Sequence, residues 1–198
     1  MEYSFSSPVS EEQARKLKIG DTLYLDGIVF TARDSAHRRA LEWRQKGLEL
    51  PLKMEGLAMF HCGPIVEKKN EAWKIVSAGP TTSSRMETYE SDFLRAFRPL
   101  VIVGKGGMGE KTLAALQEVG AVYCSFTGGA GALAAQAFKE VKGVHWLDLG
   151  VPEALWVIEA EHFGPLTVAM DSHRGSLYSQ IDRAVQENLQ RMLISFRS

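Results

Sequence analysis

The sequence contains very little cysteine. Only Cys62 and Cys124 are present among its 198 residues. Two cysteines at this separation cannot supply the CxxC spacing of a metal site or the several bridges of a disulfide framework. We therefore expect both side chains to be buried, reduced thiols.

Long apolar runs and a strong net charge are also missing. The sequence contains no stretch of about 18 apolar residues, the length needed to span a bilayer. The first residues, MEYSFSSPVSEEQ, lack the basic and apolar regions of a signal peptide. A formal net charge of -1 gives no broad attraction to nucleic acid or to an anionic membrane, so any anion site must be local. These absences predict a cytoplasmic protein that binds neither nucleic acid nor a membrane.

Length and composition predict one domain. A chain of 198 residues with 45% hydrophobic residues can bury a core of ordinary size. We expect a single domain over residues 1–198, in which residues 1–9 form an N-terminal arm. The sequence contains no internal repeats and no low-complexity tracts.

Strand patterns dominate the first half of the chain. The pair Asp26-Gly27 favours a type I′ turn, which predicts a hairpin between strands at residues 22–25 and 28–31. Ser10 and Gln13 have the spacing of a capping box, which predicts the start of a helix. The other elements expected here are the end of that helix near Gly20, a helix over residues 34–46 and strands at residues 57–62 and 73–78.

Helices and strands alternate in the second half. The patterns predict helices at residues 85–97, 109–119, 130–141 and 176–193, and strands at residues 100–103, 121–126, 144–147, 155–160 and 166–170. Such alternation is typical of βαβ units in a parallel sheet. The expected fold class is therefore α/β, with a β-rich first half and an alternating βα second half.

A hydroxyl-rich segment precedes the helix expected at residue 85. Thr81, Thr82, Ser83 and Ser84 are followed there by Arg85. A helix start offers free backbone N–H groups, and an arginine fork matches a carboxylate or a phosphate. The segment is thus a candidate anion site, although Thr and Ser before a helix also serve as simple N-caps.

A glycine loop follows the apolar strand at residues 100–103. Gly104, Gly106 and Gly109 satisfy the GxGxxG pattern of dinucleotide folds, and Lys105 adds a cation. The next strand ends in Ser-Phe-Thr where a ribose-binding acid would stand. The same loop nearly matches the P-loop pattern, but Glu110 stands between Gly109 and Lys111, where the pattern has no residue. Nucleotide binding through residues 104–109 remains one alternative, and a plain turn is another.

A third group of polar residues stands at the start of the helix expected over residues 34–46. Arg33, Asp34 and His37 come directly after the strand expected at residues 28–31. On pattern alone they could form part of a site, or Asp34 could cap the helix while Arg33 and His37 are solvated.

Five strings in order resemble the β subunit of class I fumarase, which is the C-terminal domain in single-chain forms. They are GDTLYLDGIVFTARDSAH, FHCGPIV, AGPTTSSRME, VGKGGM and GAVYCSFTGGAGALAAQ. The resemblance covers nearly the whole chain and is shared with the β subunit of L-tartrate dehydratase. It loosens at residues 170–175, where no catalytic role is assigned.

The resemblance implies a swivelling β/β/α domain similar to the mobile domain of aconitase. It also implies an α subunit as partner, whose four-iron four-sulfur cluster is held on cysteines that this chain lacks. This chain itself would bind no cofactor and no metal. An oligomer is expected, active only when the α subunit is present.

Residue roles also follow from the resemblance. Arg33, Arg85 and Lys105 would hold substrate carboxylates, and Thr81 would be the catalytic hydroxyl. Asp34 and His37 lie in the same motif as possible supporting residues. Independently, three cations from separate loops can grip both carboxylates of a small dianion, and such a pocket does not need a basic face.

The function expected from the sequence is that of a hydro-lyase β subunit. The principal hypothesis is the reversible hydration of fumarate to L-malate, a step of the tricarboxylic acid cycle. L-tartrate dehydration is the alternative within the family. A nucleotide-binding module is the alternative of another class.

Overall fold

The computed structural model describes residues 1–70 and 72–195. Its strands are β1 (Glu2–Ser7), β2 (Thr22–Thr31), β3 (Ala58–Phe60), β4 (Ile65–Lys69), β5 (Ala72–Ser77), β6 (Val101–Gly104), β7 (Val122–Ser125), β8 (Phe138–His145) and β9 (Leu155–Met170). Its α-helices are α1 (Glu11–Lys16), α2 (Asp34–Gln45), α3 (Glu87–Phe97), α4 (Glu110–Val119), α5 (Gly131–Ala137) and α6 (Leu177–Ser195). Short 3-10 turns occupy Ser83–Met86 and Leu147–Leu149.

Five of the strands close into a mixed barrel. The strands β2, β3, β6 and β7 are parallel neighbours in that order. The long strand β9 runs antiparallel to both β7 and β2 and so joins the two ends. Outside the ring, β1 pairs with β2 and β8 pairs with β9, while β4 and β5 form a separate ribbon. The predicted α/β class is confirmed as a mixed α/β fold.

Aromatic side chains fill much of the core. The ring of Phe163 lies 5.2 Å from that of Phe60, 5.3 Å from that of Phe126 and 5.0 Å from that of Phe138, centroid to centroid. All four side chains are buried. Tilted rings at these separations combine apolar burial with favourable quadrupole contacts. This cluster ties the β8–β9 pair to the parallel strands.

The hairpin predicted at Asp26-Gly27 is wrong. Strand β2 runs unbroken through this pair and lies parallel to β1 on one side. Gly27 has a φ of +83°, and the pairing of β2 with β9 shifts register between Leu25 and Gly27. The glycine therefore forms a bulge, since a residue that tolerates positive φ suits an irregular ladder as well as a turn.

Strands replace other predicted elements too. The helix expected over residues 130–141 ends at Ala137, and residues 138–145 form β8 instead, so that the strand expected at residues 144–147 begins earlier. The two strands expected at residues 155–160 and 166–170 merge into β9. Ladder bonds with β9 outweigh local helix propensity here. Residues 2–7 of the expected N-terminal arm form edge strand β1.

Helices α2, α3 and α4 form one packed group. Helix α3 packs against α2 and α4 through an apolar face that includes Phe93, Leu94 and Phe97. Helix α6, in contrast, exposes an apolar stripe that includes Ile181, Val185 and Leu189. None of the helices in the described residues is both long and apolar enough to cross a membrane.

Two glycines allow the bulge to be tested. Gly27→Ala should destabilise the fold because its Cβ would collide with the carbonyl oxygen of Ser7. Gly20→Ala is the matched control, since Gly20 has a similar φ of +89° but no heavy atom within 4 Å of the position that a Cβ would take. Left-handed backbone should cost each variant about 1–2 kcal/mol. The clash should add about 1–3 kcal/mol at Gly27, measured by urea unfolding; equal losses would contradict this account.

Candidate functional site

The predicted site residues lie at one edge of the barrel. Because β2, β3 and β6 are parallel, their carboxyl ends meet at the same edge. Arg33 follows β2 by two residues, His61 directly follows β3 and Lys105 directly follows β6. Ligand sites of open parallel sheets also form at such edges.

The segment that contains Thr81 extends this edge. The Thr81 amide donates to the carbonyl of His61 at 2.6 Å, and the Lys105 amide donates to the carbonyl of Thr81 at 3.4 Å. The Ser83 amide in turn donates to the carbonyl of Lys105 at 3.0 Å. Backbone bonds therefore hold Thr81 beside Lys105, as the resemblance implies for a common site.

Thr81 and its neighbours do not cap a helix. The 3-10 turn Ser83–Met86 begins at Thr82 without a side-chain cap bond, and α3 begins two residues later than predicted. The N-cap of α3 is Met86, which has no capping side chain. The simpler interpretation of this hydroxyl run as an N-cap is therefore wrong.

Arg85 and Asp34 join two of the predicted loops. The Arg85 Nη2 donates to Asp34 Oδ2 at 2.8 Å. Asp34 therefore does not cap α2; the N-cap is Arg33, which makes no side-chain cap bond. The Arg85 side chain is 52% exposed, so about half of it still faces solvent.

Arg33 is more enclosed. Its Nη2 lies 3.1 Å from Oε1 of Glu153, and its side chain is only 20% exposed. The other oxygen of Glu153 accepts a bond from the Ser35 amide at 2.9 Å. A Cβ at Gly63 would collide with the guanidinium, so this glycine leaves the space that Arg33 occupies.

Lys105 is the third predicted cation. Its side chain is partly buried, and no acidic group of the described residues forms an ion pair with its ammonium. The stem of Lys105 passes close to Gly128, in the turn that follows β7. The edge thus offers one lysine without a counter-ion and two arginines with acidic partners.

A chain of buried polar groups lies beneath these loops. The Nε2 atoms of His37 and His61 lie 3.2 and 3.1 Å from Oε2 of Glu90, and all three side chains are fully buried. The Nδ1 of His61 is 3.0 Å from Oγ of Ser83, to which Tyr123 donates at 2.9 Å. Predicted as a supporting residue, His37 thus contacts the network, not the solvent.

The two ends of this series of buried polar groups contact two loops of the site. The Nδ1 of His37 lies 2.8 Å from the carbonyl oxygen of Arg33, and the Tyr123 hydroxyl lies 3.1 Å from the carbonyl of Gly106. The backbone beside Arg33 and beside Lys105 is therefore linked through buried polar contacts. Such contacts fix a loop more tightly than solvent-exposed bonds do.

Burial shifts several ionisable groups at the network. Desolvation would raise the pKa of Glu90, but the nearby His61 and His37 bring that pKa down to about 2. Burial also raises the pKa of the Cys62 thiol to about 12 and raises the pKa of Cys124. Both free cysteines are buried as predicted, and such protonated thiols are poor metal ligands.

The start of α4 is already occupied by an anion. Glu87 Oε2 accepts bonds from the Gly109 amide at 2.7 Å and from the Thr112 hydroxyl at 2.8 Å. A phosphate held by the glycine loop would need these same donors. The Glu87 carboxylate therefore argues against the nucleotide alternative.

Comparison with known proteins shows the family of this chain. The family described as Fumarase C-terminus matches residues 2–181. The chain belongs to this family.

Its relatives in the Fumarase C-terminus family include subunits of tartrate dehydratases. A Methanocaldococcus jannaschii protein provisionally named L(+)-tartrate dehydratase subunit beta is 42% identical over 194 residues, covering 98% of this chain and 99% of the relative. The L(+)-tartrate dehydratase subunit beta of Escherichia coli strain K12 is 40% identical over 180 residues, covering 91% and 88%. A Geobacillus stearothermophilus protein provisionally named fumarate hydratase class I is 40% identical over 187 residues, which cover 94% of this chain but 35% of that protein.

Several site residues of this family member were missed in the sequence. His61 stands inside the string FHCGPIV, where a histidine at a strand end could have been noticed. Glu90 falls on the apolar face of α3, three residues before Phe93 and four before Leu94. A carboxylate at that helical spacing is a signal for a buried partner. Nothing in the sequence indicated Glu153, which lies far from Arg33 along the chain.

Asp171 has a structural part in this family member. Its Oδ1 accepts bonds from the amides of His173 and Gly175, and its Oδ2 accepts one from the amide of Ile19. The carboxylate thus closes the turn after β9 and attaches it to the segment after α1. This accounts for an acid and a glycine at residues 171–175 without a catalytic role.

Proposed function

We propose that this chain is the β subunit of a hydro-lyase for a small dicarboxylic hydroxy acid, with L-tartrate as the substrate. The observation that carries the proposal is that backbone bonds hold Thr81 beside Lys105, while Arg33 and Arg85 lie on segments that meet at the same barrel edge through the Arg85–Asp34 pair. Membership of the Fumarase C-terminus family supports a hydro-lyase reaction. Within this fold, residues 1–198 would act as one domain.

The choice of tartrate rests on the relatives. Two of them carry the name of a tartrate dehydratase β subunit and match this chain over nearly their whole length. The relative named for fumarate hydratase has a similar identity but is a much longer protein. Fumarate, the principal expectation from the sequence, therefore becomes the second candidate.

The charge arrangement suits a dianion. Lys105 has no acidic partner in the described chain, so a substrate carboxylate would supply the first one. Arg85 uses one nitrogen for Asp34 and keeps further N–H donors for a second carboxylate. Arg33, held by Glu153, adds a cation whose position is set before substrate arrives. Two carboxylates gripped in this way fix the carbons between them.

An α subunit would complete the site. The relatives are named as subunits beta, which implies such a partner. Cys62 and Cys124 are buried, so this chain presents no thiolate set for an iron–sulfur cluster, which we assign to the partner. When bound there, the cluster would act as a Lewis acid on the leaving hydroxyl.

The barrel edge is suited to closure by that partner. The concavity of about 750 Å³ beside residues 47–55 is lined by none of the predicted site residues, and the half-exposed Arg85 side chain is accessible to a partner. We infer that this chain is a swivelling domain whose edge closes over the substrate and excludes water. Assembly into an oligomer and a cytoplasmic location stay predictions.

Thr81 is the proposed proton-transfer group. Its partly exposed side chain is held by backbone bonds beside Lys105, and it does not cap a helix. An arginine does not give up its proton near neutral pH, so Arg33 and Arg85 are better suited to binding carboxylates. A neighbouring ammonium would stabilise the alkoxide form of the threonine.

The first test reconstitutes the enzyme. This chain, mixed with an α subunit that contains its cluster, should consume L-tartrate faster than it hydrates fumarate. Each chain alone should be inactive. A faster reaction with fumarate would transfer the assignment to the second candidate. Hydration by this chain alone would contradict the two-subunit proposal, and tight ATP or NAD binding would support the nucleotide alternative.

Substitution of Lys105 tests carboxylate binding. Lys105→Met should weaken substrate binding tenfold to a hundredfold in the assembled enzyme, since a charged hydrogen bond is worth about 1.5–3 kcal/mol. Lys111→Met, at an exposed position on α4, is the control and should leave KM unchanged. Arg85→Lys should also raise KM, because a point charge cannot replace the fork. Unchanged kinetics with a lower melting temperature would show a structural role instead.

Thr81→Val should remove the proton-transfer group with little change of shape. Turnover in the assembled enzyme should fall by about 10²–10⁴, the range of general acid–base catalysis, while KM changes little. Thr81→Ser should keep part of the rate. Ser84→Ala, at an exposed hydroxyl of the same segment, should not alter turnover. Turnover within a few fold of the parent in the valine variant would exclude Thr81 as the proton-transfer group.

A further inference from the structure

We propose that His37, His61 and Glu90 form a binding site for one divalent transition-metal ion beneath the substrate loops. These residues come from α2, the end of β3 and α3. The test of this site does not depend on the proposed function.

The three ligand atoms have the spacing of a metal site. One ring nitrogen of each histidine and a Glu90 oxygen all lie within 4.8 Å of one another. The Nε2 atoms of the two histidines are 3.1–3.2 Å from the Glu90 Oε2. A zinc ion binds nitrogen and oxygen ligands at about 2.0–2.2 Å in a tetrahedral arrangement. Two ligands of one zinc ion are therefore farther from each other than from the ion, as the nitrogen–oxygen distances of 3.1–3.2 Å allow.

The orientation of the rings favours an ion over hydrogen bonds. Despite these short distances, neither Nε2 makes a hydrogen bond, and both oxygens of Glu90 also lack a partner. The N–H directions of the two rings therefore do not point at the carboxylate oxygen. If the ring nitrogens direct their lone pairs at an ion between the ligands, they do not point at the carboxylate oxygen itself, and no hydrogen bond forms.

The other ring nitrogens are held as in metal-binding histidines. The Nδ1 of His37 must donate to the Arg33 carbonyl, because a carbonyl oxygen can only accept. Its Nε2 is then the atom free to bind a metal. The Nδ1 of His61 lies beside the Ser83 hydroxyl, and a metal on Nε2 would require this Nδ1 to donate to the hydroxyl oxygen. Such outer hydrogen bonds fix the tautomer and the ring orientation of metal ligands.

Electrostatics points the same way. Glu90 is fully buried, and in the described chain only the two histidines face its carboxylate at ion-pair distance. A buried anion without compensation is costly. A divalent ion would neutralise it and would satisfy both imidazoles without protonating either. The competing explanation is a proton held on one of the histidines.

The donor set selects the class of metal. Two imidazoles and one carboxylate suit zinc and its first-row neighbours, whereas magnesium and calcium prefer oxygen ligands alone. No thiolate takes part. The second oxygen of Glu90 also lacks a partner and could complete a four-coordinate site that needs no water.

Metal analysis of the full chain tests this proposal. The untagged protein should contain about one zinc per chain and should release it only on unfolding. After metal-free unfolding, refolding with Zn²⁺ or Co²⁺ should restore one equivalent and raise the melting temperature. Co²⁺ in the site should give a visible absorption spectrum without the strong charge-transfer band of a cobalt–thiolate bond.

Variants locate the ion. Glu90→Gln and His61→Asn should lower the bound metal at least tenfold, whereas His145→Ala, on β8, should retain it. Wild-type protein that contains less than about a tenth of an equivalent, and that takes up neither Zn²⁺ nor Co²⁺ on refolding, would overturn the proposal in favour of the shared proton. That result does not depend on the folding of any variant.

Discussion

Closure of the barrel by β9 is the constraint on which the site depends. This strand runs antiparallel to β7 and to β2, and so leaves the parallel strands aligned between them. The alignment brings the ends of β2, β3 and β6 to one edge. The Thr81 segment then adds to that edge by backbone bonds to His61 and Lys105. The candidate site is therefore assembled from segments distant in sequence, by parallel strand pairing and by the backbone bonds of the Thr81 segment.

Most of the fold class could be predicted from the sequence, because periodicity reports which faces are buried. Local signals failed where pairing partners decided the outcome. Asp26-Gly27 is a strong turn signal, yet parallel pairing with β1 and antiparallel pairing with β9 keep β2 extended through it. Residues 138–141 belong to the helix predicted over residues 130–141, yet they form the start of β8 and pair with β9. Neither partner can be read from the residues themselves.

The predicted site residues came from motifs, and the structure brings them to one edge. Glu153, the acidic partner of Arg33, could not be predicted because it is far from Arg33 in the chain, whereas the position of Glu90 on the apolar face of α3 was a signal that was missed. A motif records residues that a family shares, but the contacts that orient them depend on the folded chain. The buried histidine and glutamate beneath the loops illustrate this limit, because their proximity requires three elements to pack.

The two arginines differ in how firmly they are held, and the difference bears on substrate entry. Arg85 and Asp34 form a pair that is half exposed at the arginine, and such pairs are worth little in water. A substrate carboxylate could therefore recruit Arg85 at small cost. Arg33 and Glu153 are each about one-fifth exposed, so removing either partner would leave a poorly solvated charge. We infer that Arg33 is the fixed point against which a dicarboxylate is aligned, and that Arg85 adjusts to it as the site closes.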